Sequence, residues 1–320
     1  MSPLRPGLFA FALVGIHVAL AACDPEDTSS KSPIVDDDAG PRTKDSGSPT
    51  NTNDADTSVD AAKDTGVDAK KPWPTCAAKP ASAVKKTIPE VWQANPTKET
   101  EVWIEGAYVV GISQGECVAN EPCQIFLQAD ASYASLGAAS KHAIKLFASA
   151  PVASYFNGVA VGDRVDVLGW AWRYNLGGQH ELLVQVNAQL PGCAKTKSTG
   201  NAITPLESVT LSELTVAAYE DTHGPLFLKM ANISGKADAN PKATFGLWET
   251  GSQFDAGADG GANIVSLSPS FISGETFTGL VPGAITSFNS ITAVFGLFVP
   301  NGGPKYLELY PRTSTDLDKQ

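Results

Sequence analysis

The sequence predicts an all-β fold, arranged as two similar modules that follow a non-globular N-terminal segment. From Trp73 onward the apolar runs are short, alternate in places and are separated by Gly, Pro and Asn. Val, Ile, Phe, Trp and Tyr fill these runs, which is typical of β-strands. Residues 73–320 are enough for one large core or two small ones. The same order of features recurs at a spacing of about 128 residues, which favours two modules.

The chain begins with an apolar segment that is typical of a signal peptide. Arg5 precedes the apolar residues 7–20, a stretch too short for a stable membrane span. The segment closes with Leu20–Cys23, whose residues LAAC resemble the lipobox of bacterial lipoproteins. The resemblance implies a signal peptide of residues 1–22 and acylation of Cys23, with palmitate among the expected chains. The folded part would then lie outside the cytoplasm, anchored to a bacterial membrane. The choice between inner and outer membrane stays open, and an ordinary signal peptide with a chance cysteine is the alternative.

The segment 23–72 is expected to be a disordered acidic linker. It is rich in Asp, Ser, Thr, Pro, Lys and Gly and contains no aromatic residue. Residues 24–71 carry twelve acidic and six basic side chains, a net charge of −6. Such a segment cannot bury enough apolar surface to offset the entropy lost on ordering.

The first module, residues 73–200, and the second, residues 201–320, are each expected to hold five strands. In the first module these lie near 101–112, 123–129, 143–147, 164–175 and 179–187, and in the second near 226–237, 243–250, 262–267, 288–299 and 304–310. Short helices are expected near 86–93, 150–158 and 208–218. Two pairs of segments carry the repeat, since Trp103–Gly106 is similar to Asn232–Gly235 and Val165–Gly169 to Thr292–Gly296.

A closed five-stranded Greek-key sheet is the OB fold, so the sequence predicts two tandem OB-like barrels. The chain also resembles the OB-fold modules found beside secreted bacterial nucleases and in bacterial surface lipoproteins. The residues that carry this resemblance are Gly162–Gly169 with Tyr174 and Asn175, Cys123–Gln128, and Leu309–Arg312 with Asp316 and Leu317. The catalytic domain of those nucleases has no counterpart in this sequence. The resemblance therefore implies a binding module and not an enzyme.

The cysteines other than Cys23 are even in number, as expected for disulfides in an exported chain. Three pairings are possible. We favour Cys117–Cys123, which would close a short loop between two strands, with Cys76–Cys193 tying the start of the first module to its end. A zinc site is the alternative, but no Cys-x-x-Cys pair or neighbouring histidine supports it.

The sequence contains no recognisable catalytic motif, and no cofactor is predicted. A nucleophile needs an adjacent base that is oriented by a third group, and no such set is apparent. Asp255 and Asp259, next to glycines, are weak candidates for a hard-cation site. They lack the third acid and the distal glutamate of a calcium loop, so a mobile acidic loop is the favoured interpretation.

An aromatic hairpin is the strongest candidate binding feature. In an extended strand Trp170, Trp172 and Tyr174 project to one side, while Arg173 projects to the other. If exposed, the three rings would form a stacking platform for bases or sugars. Arg173 is a further candidate ligand contact on the other side of the strand. If buried, they would belong to the barrel core or would cover the junction between modules. Both alternatives stay open.

Charge favours a ligand other than nucleic acid. Residues 73–200 hold ten basic and ten acidic side chains, whereas residues 201–320 hold six and twelve. Nucleic-acid affinity comes largely from basic side chains that neutralise phosphates. A module without net charge and an acidic module are poorly suited to this. The first hypothesis is a lipid-anchored, non-enzymatic binding or scaffolding protein for envelope glycan or protein. The alternatives are a binder of single-stranded nucleic acid and a divalent-metal hydrolase that uses Asp255 and Asp259.

Overall fold

β-Strands dominate the structure and form two sheets. The computed structural model describes residues 76–175, 180–237, 245–250, 265–268, 284–298 and 305–320. All of these residues belong to one compact unit, Val67–Gln320. The predicted signal peptide, Cys23 and the linker lie outside the described residues.

The first sheet contains seven strands and the second contains six among the described residues. The strands of the first sheet are β1 (Val84–Lys86), β2 (Thr100–Ile112), β3 (Cys123–Gln128), β4 (Ala143–Ala148), β5 (Arg164–Tyr174), β6 (Glu181–Val186) and β7 (Cys193–Ser198). Those of the second are β8 (Phe227–Ala237), β9 (Phe245–Glu249), β10 (Val265–Leu267), β11 (Ile285–Phe298), β12 (Tyr306–Tyr310) and β13 (Leu317–Lys319). The helical elements are α1 (Ile88–Ala94), 3-10 turns at Ser113–Gly115, Ala150–Phe156, Leu211–Glu213 and Ser314–Asp316, and a π-helical turn at Ala218–His223.

The first sheet closes into a five-stranded, OB-like barrel. Its strands pair in the order β2-β3-β4-β6-β5, and β5 pairs again with β2. All of these pairs are antiparallel except β4 with β6, which is parallel. The inward positions are aliphatic and fully buried, and Ala171, Leu146 and Val184 are among them. Gly169 is required on β5 because a Cβ there would lie 2.3 Å from Val184 Cγ1.

The second sheet repeats this pairing order strand for strand. β8 pairs with β9, β9 with β10, β10 with β12, and β12 with β11, which returns to β8. The one parallel pair, β10 with β12, occupies the same place in the order as β4 with β6. Its own apolar cluster includes Leu228, Ile291 and Leu309. A third cluster joins the two sheets, and it consists of Val110, Phe126, Phe227, Val294 and Tyr310.

Helix α1 packs on the core of the barrel. Thr87 caps its N-terminus in a reciprocal capping box with Glu90, and Asn95 ends it in the left-handed conformation. Its buried face includes Trp92, whose indole N–H donates to the Ala143 carbonyl over 2.8 Å.

Disulfide bonds join Cys76 to Cys193 and Cys117 to Cys123, which is the pairing that we favoured from the sequence. The first bond ties the start of the described chain to β7. The second closes the loop between β2 and β3. Among the described residues, none of the helices has the length and apolar character needed to cross a membrane.

The five strands expected in each module correspond to β2–β6 in the first sheet and to β8–β12 in the second, but three further strands were not expected. Strands β1, β7 and β13 add to the margins of the sheets, and β1 and β7 are largely exposed. Strand β7, CAKTKS, shows no apolar alternation because its last four residues are all exposed, so that neither of its faces is buried there. The short helix expected near 208–218 is present as the 3-10 turn Leu211–Glu213, and the π-helical turn Ala218–His223 follows it.

Candidate functional site

The rings of the aromatic hairpin lie on the outer surface of the barrel, half-buried. The alternation of β5 sends Ala171 into the core, so Trp170, Trp172 and Tyr174 face outward. Trp170 Nε1 donates to the Pro191 carbonyl over 3.0 Å. The Trp172 and Tyr174 rings meet edge to face at 5.3 Å between centroids. The hairpin is therefore neither barrel core nor a fully exposed platform.

Arg173 is held by protein groups on several elements. Its Nε donates to Asn95 Oδ1 over 2.9 Å, and its Nη1 donates to the carbonyls of His180 and Glu220, each over 2.8 Å. The same Nη1 lies 3.3 Å from Asp221 Oδ1. Arg173 thus joins the end of α1 and the hairpin to the π-helical turn.

A cavity of about 230 Å³ opens between the two sheets, next to this hairpin. We call it the cleft. It is lined by Gln124, Lys145, Phe147, Tyr174, Leu183, Gln185, Leu297, Phe298 and Tyr310. Four of these side chains are aromatic and two are amides. Of the hairpin residues singled out from the sequence, Tyr174 is the one that lines the cleft.

The pairing of strands β3 to β6 aligns the side chains on the barrel side of the cleft. Phe147 on β4 is the cross-strand partner of both Gln124 on β3 and Gln185 on β6. Gln185 in turn pairs with Trp170 on β5. Since cross-strand partners project from the same face, these four side chains form one row across the outer surface of the barrel.

The hydrogen bond from Trp172 fixes the orientation of Gln185. Trp172 Nε1 donates to Gln185 Oε1 over 3.0 Å. An indole N–H can only donate, so the acceptor must be the amide oxygen. The amide nitrogen of Gln185 is therefore the group that can donate to a ligand in the cleft.

A buried ion pair lies at the base of the cleft. Lys145 Nζ is 2.6 Å from Glu181 Oε2, and the two side chains are 9% and 2% exposed. The hydroxyl of Tyr219, on the π-helical turn, donates to Glu181 Oε1 over 2.5 Å. Burial, and then the charge of Glu181, hold the pKa of Tyr219 well above its usual range. The phenol therefore stays protonated and continues to donate.

The second sheet supplies the opposite wall, Leu297, Phe298 and Tyr310. Gly296 makes room for the Tyr310 ring, since a Cβ there would lie 2.0 Å from Tyr310 Cε2. The Tyr310 hydroxyl donates to Glu308. Burial raises the pKa of the Glu308 carboxyl, against the opposing effect of hydrogen bonds from Tyr310 and Ser268.

Glu220 links the two hairpins that flank the cleft. Its Oε1 accepts the backbone N–H of His180 over 2.9 Å, just before β6. The same carboxylate pairs with Lys305 Nζ, just before β12, at 2.7 and 2.9 Å. This carboxylate therefore joins the residue before β6, on the barrel side of the cleft, to the residue before β12, on the opposite side.

A second recess, of about 310 Å³, lies beside α1 and has no Phe, Tyr or Trp among its lining residues. Its charged groups have partners in the protein. His142 Nδ1 is 3.2 Å from Asp130 Oδ2, and Arg164 Nε donates to the Gly106 carbonyl over 3.1 Å. We therefore take the cleft as the candidate site.

Within the described part of the chain, no group of three or more His, Cys, Asp or Glu side chains is arranged to hold a metal ion. Asp255 and Asp259 lie outside the described residues, as does Cys23.

No known protein family matches the sequence. No curated protein matches it either. Solved structures with some likeness include an aspartyl-tRNA synthetase from Entamoeba histolytica, at 11% identity and a TM-score of 0.23, covering 42% of this chain and 26% of that one. A protein assigned as aspartyl-tRNA synthetase from Leishmania major Friedlin has 11% identity and a TM-score of 0.24, with 43% and 24% covered. A replication protein A heterotrimer bound to single-stranded DNA has 11% identity and a TM-score of 0.26, with 69% and 51% covered.

The chain thus spans about a quarter of the two synthetase chains and about half of the replication protein A chain. TM-scores of this size carry no argument about function.

Sequence reasoning missed most of the cleft. It named Tyr174 as a site residue, but not Phe147, Gln185 or Tyr310, because the four residues come from four different strands of two sheets. One signal was present: Lys145 stands at an outward position of the apolar strand AIKLFA, beside the outward Phe147. An apolar ring next to an outward lysine indicates a strand face that another part of the protein covers.

Proposed function

We propose that the protein is a lipid-anchored, non-enzymatic binding protein of the bacterial cell envelope, whose folded part consists of two tandem OB-like Greek-key barrels. In this proposal Cys23 carries the lipid, residues 23–72 form the linker, and residues 73–200 and 201–320 are the two modules. The identical pairing order of the two sheets, with one parallel pair at the same place in each, supports a duplicated barrel.

The observation that carries the binding function is the cleft. Pockets that recognise small ligands combine apolar and aromatic walls with a few placed polar groups. The cleft has four aromatic rings, two leucines, two amides and one lysine. Glu220 joins the strands of its two walls through His180 and Lys305, and walls held together before binding reduce the entropy lost on binding.

Envelope glycan or protein is the favoured ligand. The second module and the linker are both acidic, with six basic against twelve acidic side chains in each. A phosphate-bearing strand would be repelled by both. A single-stranded nucleic acid is the second candidate, because Tyr174 and Phe298 offer ring faces on which bases could stack.

Two measurements test this proposal on the full-length chain. The first is detergent phase partition of protein expressed in a bacterial host. We expect the wild type to enter the detergent phase and Cys23→Ser to remain in the aqueous phase. Equal partition of both would contradict the anchor.

The second measurement is co-sedimentation of the Cys23→Ser chain with purified envelope material. We expect binding that Tyr174→Ala weakens and that Tyr155→Ala leaves intact, since Tyr155 is 47% exposed and lies outside the cleft. Sedimentation that neither substitution affects would remove the cleft as the site. Hydrolysis of the bound material that depends on a single carboxylate would contradict a non-enzymatic role.

A further inference from the structure

We infer that the cleft takes one uncharged sugar ring of a glycan chain, with the aromatic side chains against the ring faces and Gln124 and Gln185 bonded to its hydroxyls. This inference rests on the proposed function, which makes the cleft a ligand site, and it adds the chemical class of the ligand.

The size of the cleft limits the ligand to a single ring. Its volume of about 230 Å³ is below the range of about 300–1,000 Å³ that is typical of sites for drug-sized molecules. The Phe298 side chain is 49% exposed and lines the cleft, so the site is open to solvent on that side. A longer chain can therefore place one unit inside and continue outward past Phe298.

The charge of the cleft favours a neutral ligand. Lys145 is the one charged side chain among the lining residues, and its ammonium already pairs with Glu181 at 2.6 Å. An anionic ligand would have to compete with a buried carboxylate for this cation. A carboxylated sugar or a phosphate therefore lacks a counter-ion here.

The two amide side chains of the cleft are suited to binding sugar hydroxyls. An amide offers both a donor and an acceptor, and so does a sugar hydroxyl. Gln185 presents its nitrogen because Trp172 occupies its oxygen. Gln124 lies in the same cross-strand row, with Phe147 between the two amides. The ring faces of Phe147 and Tyr174 carry partial negative charge, to which the C–H groups of a sugar ring are attracted.

Calorimetric titration of the full-length Cys23→Ser chain tests the inference with three kinds of probe. The neutral probes are maltotriose, cellotriose and the trisaccharide of N-acetylglucosamine. The acidic probe is trigalacturonic acid, and the nucleic-acid probe is a twelve-residue oligothymidylate at low salt. Each probe is titrated into the parent and into Tyr174→Ala, Gln124→Ala and the control Tyr155→Ala, with circular dichroism as the check on folding.

We expect at least one neutral trisaccharide to bind the parent and Tyr155→Ala equally, and to bind Tyr174→Ala and Gln124→Ala about tenfold more weakly. The acidic and nucleic-acid probes should not bind. Binding of trigalacturonic acid that depends on Tyr174 would overturn the inference while leaving a glycan-binding cleft in place. Binding of the oligothymidylate alone would overturn both, as would failure of every probe together with failure to sediment with envelope material.

Discussion

The buried ion pair at the base of the cleft provides a quantitative test of the packing between the sheets. Glu181→Gln keeps an acceptor for the Tyr219 hydroxyl but leaves the Lys145 ammonium facing a neutral amide. With Lys145 and Glu181 side chains 9% and 2% exposed, breaking the pair is expected to destabilise the fold by about 3–5 kcal/mol. For a domain of this size that corresponds to a fall in melting temperature of about 6–20 °C.

The assay is thermal unfolding followed by circular dichroism, with two controls. Glu105→Gln breaks the ion pair of Glu105 with Lys85, which has the same 2.6 Å separation but side chains 40% and 62% exposed. It should leave the melting temperature nearly unchanged, because solvent screens an exposed pair. The double variant Lys145→Met/Glu181→Gln removes the stranded charge and should recover most of the loss. Equal, small effects of Glu181→Gln and Glu105→Gln would refute the reasoning, since they would mean that the first pair is solvated.

Three further substitutions test separate parts of the structure. Gly296→Ala should destabilise the fold by about 1–3 kcal/mol and weaken glycan binding, because the new Cβ meets the Tyr310 ring. Scanning calorimetry measures the stability and calorimetric titration measures the binding. Normal binding would contradict this role of Tyr310. Cys76→Ala/Cys193→Ala opens a loop whose ends are 117 residues apart in sequence. Because the bond restricts the unfolded chain, the free energy of unfolding should fall by about 4–5 kcal/mol in denaturant titrations under non-reducing conditions. A fall below about 1 kcal/mol, the size of an ordinary substitution, would be evidence against the bond. Because the pKa of Glu308 is raised, the folded state retains a proton that the unfolded state loses above pH 4.5. Stability should therefore decline as pH rises from 4.5, and Glu308→Gln should reduce this decline. Parallel pH profiles of stability for the two proteins would contradict this role of Glu308.

The strands of the barrel were predictable because apolar side chains at inward positions alternate with more polar ones at outward positions. In the alternating runs around Gly169 and Gly296 the inward side chains, among them Val167, Ala171 and Phe295, are apolar. The two glycines mark close approaches of neighbouring strands. The marginal strand β7 was missed because its exposed residues, after Cys193, lack that contrast.

The cleft was less predictable because it depends on which strands pair and on where the second sheet sits. Lys145 in AIKLFA and Glu308 in YLELY occupy outward positions that usually face solvent, yet both are buried. Their burial follows from contacts between the two sheets, and the local pattern does not specify which part of the chain makes those contacts. The pairing of Gln185 with Phe147 likewise depends on the parallel register of β4 and β6, which are separated by the whole of β5.

The most direct test of the central claim is a crystal structure of the Cys23→Ser chain with the neutral trisaccharide that binds most tightly. We predict one sugar ring in the cleft, within hydrogen-bond distance of the Gln185 amide nitrogen and in contact with the Tyr174 ring. A trisaccharide bound elsewhere on the protein, with the cleft holding only solvent, would contradict the account.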